Sequence, residues 1–162
     1  AESLHDSIPV DRDIFGRFIG KWRLRLTIFK PDGTSQNHTG EWHFYRILQG
    51  RAIQDLWVIP GLDPNGNNEF LEYGTTVRSY NPKTGKWKAA WTGPIQNQLF
   101  VFDIEDDDQG ITLTEVGNPH LNMKWSFFDI HEDAFQWKSE MQIRDTGQWF
   151  VNYHMKLDRV KD

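Results

Sequence analysis

The chain has 162 residues, 38% hydrophobic and 25% charged, with a formal net charge of −5. That size fits one globular domain with its own core, and scattered Lys and Arg with no basic stripe argue against a nucleic-acid partner. No apolar run approaches the ~18 residues of a membrane span, and the absence of cysteine removes disulfides, thiol nucleophiles and Cys-ligated metals together.

Residues 1–12 read as an N-terminal arm. The opening AESLHDSIPVDRD has no apolar stretch, so no signal peptide is expected and a cytoplasmic location is. The stretch RDIFGRFIG reads as one or two helical turns. At Gly20-Lys21-Trp22 the pattern changes to the alternation of a strand, Arg-Leu-Arg-Leu. Turn signals then recur at Pro31-Asp32-Gly33, Gln49-Gly50, Asp63-Pro64-Asn65-Gly66, Asn81–Gly85, Asp106–Gly110, Gly117-Asn118-Pro119 and Asp145-Thr146-Gly147. Between them lie alternating or aromatic segments of strand length. The expected fold is all-β, a single antiparallel up-and-down barrel of about 8–10 strands spanning residues 1–162, with a short N-terminal helical turn.

Hairpin loops fix register, and directly opposed residues share a face. A three-residue loop at Pro31–Gly33 pairs Trp22 with Trp42, Leu24 with Gly40, Leu26 with His38 and Ile28 with Gln36 inside, and Arg23 with Glu41 outside. The turn at Gln49-Gly50 continues the inner face as Trp42–Trp57, Phe44–Asp55 and Arg46–Ile53. A four-residue loop at Pro82–Gly85 puts Arg78 on one face with Thr76, Tyr80, Trp87, Ala89 and Trp91; one residue more turns Arg78 to solvent beside Lys88. A loop over Gly117–Leu121 gives Ile111–Phe127, Leu113–Trp125 and Glu115–Met123. A three-residue loop at Asp145–Gly147 gives Ile143–Trp149, Met141–Val151, Ser139–Tyr153, Trp137–Met155 and Phe135–Leu157 inside, with Asn152 and His154 outside.

The segments Phe18-Ile19-Gly20-Lys21-Trp22 and Leu157-Asp158-Arg159 make the sequence resemble the calycin superfamily, the lipocalins and fatty-acid-binding proteins. In that family a Gly-x-Trp after a short helical turn opens the first strand, and a basic residue of the last strand packs over the Trp. The resemblance implies those places for Trp22 and Arg159. The hairpin register separately gives Arg159 the inward parity of Met155 and Leu157. The segments GEWHF, GRAIQDLW, YGTTVRSYNP and KWSFFDI are similar to uncharacterised bacterial lipocalin-like proteins; that likeness spans most of the chain and implies no particular activity.

Inside such a barrel, Trp42, Trp57, Trp87, Trp91, Trp125 and Trp137 are the expected ring walls of a ligand site. The polar groups among them are the informative ones. Asp55, Arg46, Ser139 and Arg78 are candidate ligand contacts, with Arg78 able to grip a carboxylate or to pair with Asp55. Glu115, Tyr153 and His38 are candidate acid–base residues. Desolvation between Met and Trp should raise the Glu115 pKa; the alternative is a wetted rim position or an Arg partner. His38 is either a base at the mouth or simply solvated. No metal and no cofactor is expected, since no two histidines have ligand spacing and His154 points outward beside Lys138. The acidic stretches DIEDDDQG and DPNGNNEFLEYG lack the calcium-loop Gly or Glu and read as solvated hairpin tips. Tyr45, Ile47, Ala52, Leu56 and Val58 make an apolar outer face, covered by an N-terminal segment or by the second subunit of a homodimer.

Two functions fit. The first is a binding module for a small apolar or aromatic ligand, anionic if Arg78 serves it. The second is a cofactor-free isomerase, lyase or cyclase using the acid–base residues of the same cavity. A barrel filled by its own side chains and acting through its surface is the third possibility.

Overall fold

The computed structural model describes residues 2–62, 65–66 and 69–161. Ten strands follow in chain order: β1 (Gly20–Phe29), β2 (Ser35–Ile47), β3 (Ala52–Ile59), β4 (Glu72–Asn81), β5 (Lys86–Gly93), β6 (Gln98–Asp107), β7 (Gly110–Val116), β8 (Met123–Phe128), β9 (Ala134–Gln142) and β10 (Trp149–Arg159). Each pairs antiparallel with the next, and β1 pairs with β10, so the sheet closes into a barrel with no free edge. Among the described residues, helix is limited to three short 3-10 turns at Val10–Arg12, Gly16–Phe18 and Leu48–Gly50. No helix among the described residues is long and apolar enough to cross a membrane. Asp63 and Pro64 of the expected turn at Asp63–Gly66, and Asn67 and Asn68 of the acidic stretch from 63 to 74, lie outside the described residues.

The registers of β1–β2, β2–β3 and β4–β5 are those that loop length and alternation dictate, including Trp22 opposite Trp42, Phe44 opposite Asp55 and Arg78 opposite Ala89. The last hairpin departs. Phe135–Leu157, Trp137–Met155 and Ser139–Tyr153 pair as expected, but a bulge between Val151 and Tyr153 shifts the rest. Met141 faces Phe150 and Gln142 faces Trp149, in place of Met141–Val151 and Ile143–Trp149. The extra residue reverses which parity points inward, so Asn152 is not an outer-face residue.

One end of the barrel is plugged by the chain's own N-terminal segment. Phe15 and Phe18 enter the interior, both essentially unexposed, and meet Trp87, Phe127 and Phe135 at centroid distances of 4.8–5.9 Å. Trp22 stands on this floor edge-on to Phe135 and donates its indole N–H to the Phe18 carbonyl at 2.8 Å. The Arg159 guanidinium lies 4.3 Å from the Trp22 ring centroid and donates to the carbonyls of Arg17, Ile19 and Glu132. The cation thus covers the indole and ties β10 to the segment leading into β1. Gly20 permits the arrangement: its φ is +126°, and a Cβ there would approach the guanidinium to 3.0 Å.

The N-terminal arm crosses the Leu48–Gly50 turn, where the His5 N–H bonds to the Gly50 carbonyl. A Cβ on Gly50 would fall 1.8 Å from the Ser3 carbonyl, so only glycine admits the arm. On the outer face, Ala52 and Val58 are buried by the chain itself, whereas Tyr45 stays 36% exposed.

Candidate functional site

Above the floor the barrel is not filled. A cavity of about 260 Å³ opens toward the turns that follow β5, β7 and β9. Five of its walls are indoles: Trp42, Trp57, Trp91, Trp125 and Trp137. They meet one another edge to face around the barrel, Trp42 with Trp137, Trp137 with Trp125, Trp125 with Trp91 and Trp91 with Trp57, at 5.3–6.1 Å between centroids. Phe100, Leu121 and the thioethers of Met123, Met141 and Met155 complete the apolar lining. The alternation of five different strands aims these side chains inward at one height.

The polar lining comes from Thr76, Gln96, Gln98, Ser139, Asn152 and Tyr153. One indole, two side-chain amides and a backbone carbonyl form a chain. Trp91 Nε1 donates to Gln98 Oε1 at 3.0 Å, Gln98 Nε2 donates to Gln96 Oε1 at 3.1 Å, and Gln96 Nε2 donates to the Leu71 carbonyl. Trp91 can only donate, so it fixes which way Gln98 points, and Gln98 in turn orients Gln96. Burial pushes the Tyr153 hydroxyl above its ordinary range, against a bond with Gln96, and the charge of Glu72 pushes the same way as burial. Tyr153 therefore stays protonated at neutral pH.

Glu72 holds the turn that carries Gln96. It is 1% exposed; Oε1 accepts the N–H groups of Tyr73 and Ile95, and Oε2 accepts that of Gln96, at 2.8–3.1 Å. Three backbone donors satisfy the carboxylate and tie the β5–β6 turn to β4.

Of the residues that the sequence singles out, Trp42, Trp57, Trp91, Trp125, Trp137, Ser139 and Tyr153 line this cavity. The others lie elsewhere. Arg78 does face inward, but it is buried one layer lower and bonds Asp55 at 2.7 Å. Its guanidinium sits 5.2–5.6 Å from the rings of Phe15, Phe44 and Phe127. Asp55 also accepts the Thr76 N–H. Burial drives the Asp55 carboxyl above its ordinary value and Arg78 opposes it; protonating Asp55 would strand a buried cation, so the pair acts as one unit. Trp87 belongs to the floor, donating to the Arg12 carbonyl at 2.7 Å. Arg46 donates two hydrogen bonds to the Asp13 carboxylate, at 2.7 and 3.1 Å, and so anchors the N-terminal segment.

Glu115 faces Phe102 across β6–β7, outside the cavity lining, in a partly exposed position. Its pKa is raised by desolvation, as the sequence suggests, without bringing it to the cavity. His38 opposes Leu26 and is also outside the lining. His154 points outward, bonded to Gln136 and stacked on Phe128. Among the described residues, no cluster of three His, Asp or Glu is placed to hold a metal ion.

Gln96, Gln98 and Asn152 escape sequence reasoning. The glutamines sit in and just after a turn, where period-two alternation says nothing. Asn152 had a signal: three consecutive apolar residues, Trp149-Phe150-Val151, break the alternation just before it, as a bulge does.

No family model and no curated protein matches the chain. Among solved structures it is similar to Rv2717c from M. tuberculosis, with a TM-score of 0.67 and 14% identity, covering 98% of this chain and 100% of that one. It is also similar to the S-type phycobiliprotein lyase CPES from Guillardia theta, with a TM-score of 0.62 and 11% identity over 96% of each chain. Likeness at these identities shows the fold, a lipocalin-like ten-stranded barrel consistent with a calycin-like architecture.

Proposed function

We propose that the protein binds a small apolar or aromatic molecule in the indole-walled cavity. The observation that carries this reading is the contrast inside one barrel: aromatic side chains fill one half, while rings of the same kind surround an unfilled volume in the other. A cavity of about 260 Å³ lies just under the ~300–1,000 Å³ typical of drug-sized sites, which suits an occupant of one or two rings. Apolar contact supplies the affinity, and the amide chain at the mouth supplies orientation.

Acid–base catalysis in the same cavity is the second reading. One fold neighbour is a lyase, so this architecture carries enzymes, but fold alone does not transfer an activity. Of the three candidate acid–base residues only Tyr153 lines the cavity, and it is held protonated. That arrangement supports binding over catalysis.

The test is titration with phenylnaphthylamine, an uncharged dye. Wild type should enhance dye emission and lose Trp emission. Ser139→Phe, which puts a ring into the cavity from a wall position, should fold and lose the dye. Equal dye binding by the two would place the dye elsewhere and reject the cavity as the site.

A further inference from the structure

Among the described residues, every polar side chain that lines the cavity is uncharged. The nearest buried ions are already committed. Arg78 is neutralised by Asp55 beneath the cavity floor, and Glu72, behind the β5–β6 turn, is held by backbone N–H groups alone among its described contacts. The Glu72 charge is felt at Tyr153 on the cavity wall. An anion entering here would leave water, meet no cation, and sit in the field of a carboxylate.

Three polar atoms of the lining residues are also left over, and one of them, Trp42 Nε1, is on the side of the buried Asp55 carboxylate, on which it acts. The other two, Trp137 Nε1, a donor only, and Asn152 Oδ1, an acceptor, are buried without hydrogen-bond partners. Trp137 is 6% exposed, and Asn152 is placed on the cavity by the β10 bulge. Buried polar groups of native proteins are nearly always paired, so an unpaired donor and an unpaired acceptor beside one cavity call for a molecule that brings both.

We infer that the cavity selects an uncharged planar ring bearing an amide-like donor–acceptor group, a carboxamide or lactam, and rejects the corresponding carboxylate. The inference rests on the cavity being the binding site. Its physical content is that selectivity comes from the unpaired Trp137 N–H and Asn152 carbonyl together with the lack of a cation, while affinity comes from the rings.

Displacement of phenylnaphthylamine by naphthamide, naphthoate, naphthalene and naphthylmethylammonium separates the two claims. Naphthamide should displace the dye best, and naphthoate should be weaker on the order of tenfold or more. Trp137→Phe keeps the ring and deletes the N–H; Asn152→Leu keeps the volume and deletes the amide. Each should cut the advantage of naphthamide over naphthalene several-fold and leave naphthalene unchanged, which also reports that the variant cavity is intact. Should Asn152→Leu disturb the bulge and fail to fold, Trp137→Phe carries the test alone. Naphthoate binding as well as naphthamide overturns the inference, as does an ammonium compound binding tightest, the mark of an aromatic cation cage. An unchanged naphthamide advantage in the folded variants overturns it too. In each of those cases the binding reading survives, whereas failure of all four compounds and the dye removes that reading and the inference with it.

Discussion

The two halves of the barrel are built from the same kind of residue and end in opposite states. The plugged half packs Phe15, Phe18, Trp22, Trp87, Phe127 and Phe135 to near-zero exposure and buries one ion pair, Arg78–Asp55, in their midst. The mouth half arranges five tryptophans around a cavity, and the described polar side chains beside them are neutral amides and hydroxyls. Strand alternation makes both interiors aromatic. The difference comes from what closes each end: the N-terminal segment thrusts two phenylalanines into one, and among the described residues no such segment enters the other. Aromatic content therefore does not mark a binding site; the missing plug does.

The sharpest way to break this contrast is to attack the polar pair in the filled half. Arg78→Met leaves Asp55 buried without its cation and removes a guanidinium packed among three rings. A loss of about 3–5 kcal/mol in chemical denaturation is expected, with no special effect on ligand charge preference. If Arg78→Met instead folds normally and selectively weakens anionic ligands, Arg78 reaches the cavity and the two halves are not separate.

Truncation of rings should sort by half as well. Trp22→Ala removes a fully buried indole from the floor and should cost about 3–5 kcal/mol. Trp125→Ala enlarges a cavity that already exists, and a ring facing a void has fewer contacts to lose, so its cost should be clearly smaller. Equal costs would mean that the mouth half is packed as tightly as the floor. Within the floor, Arg159→Ala should cost less than Trp22→Ala. The double variant should fall short of the sum by about 0.5–2 kcal/mol, the range of a cation over an indole. Additive losses would remove the cation–indole closure.

The smallest expected effect lies on the outer face. The His154 pKa is lowered by partial burial first, then by Lys156 and Lys138, relative to its ordinary 6.5. Its folded value being below its unfolded one, it contributes stability that is complete above about pH 6.5 and is lost as pH falls through the folded value. His154→Gln should flatten stability against pH just below that point without changing cavity binding. A slope that persists in the variant assigns the titration to another group.

Much of this molecule is legible from its sequence, and the residues that are not share a cause. Loop length and alternation correctly turn Trp42, Trp57, Asp55 and Arg78 inward, because a strand offers only two faces. They do not tell how high along the barrel axis a residue sits. Arg78 and Trp87 have the right facing and the wrong height: Phe15 and Phe18 occupy their level, so they belong to the core rather than to the cavity. The RDIFGRFIG stretch reveals a helical turn but not that its phenylalanines enter the barrel. The outer half of the last hairpin slipped by one position because a bulge adds a residue that the loop count cannot see. Glu72 and Gln96 were silent for a different reason, since their roles arise from a turn packing on β4, a contact without periodicity.

The eight tryptophans of the chain offer the most direct test of the central claim, that ligands enter the mouth half and only that half. Each indole N–H gives its own proton–nitrogen NMR signal. Titration with phenylnaphthylamine should move the signals of Trp42, Trp57, Trp91, Trp125 and Trp137, which line the cavity. Those of Trp22 and Trp87, bonded to the Phe18 and Arg12 carbonyls in the floor, and of Trp149 on the outer face beneath Lys124, should stay in place. Shifts confined to Trp149, or shared equally by Trp22 and Trp87, would contradict the account.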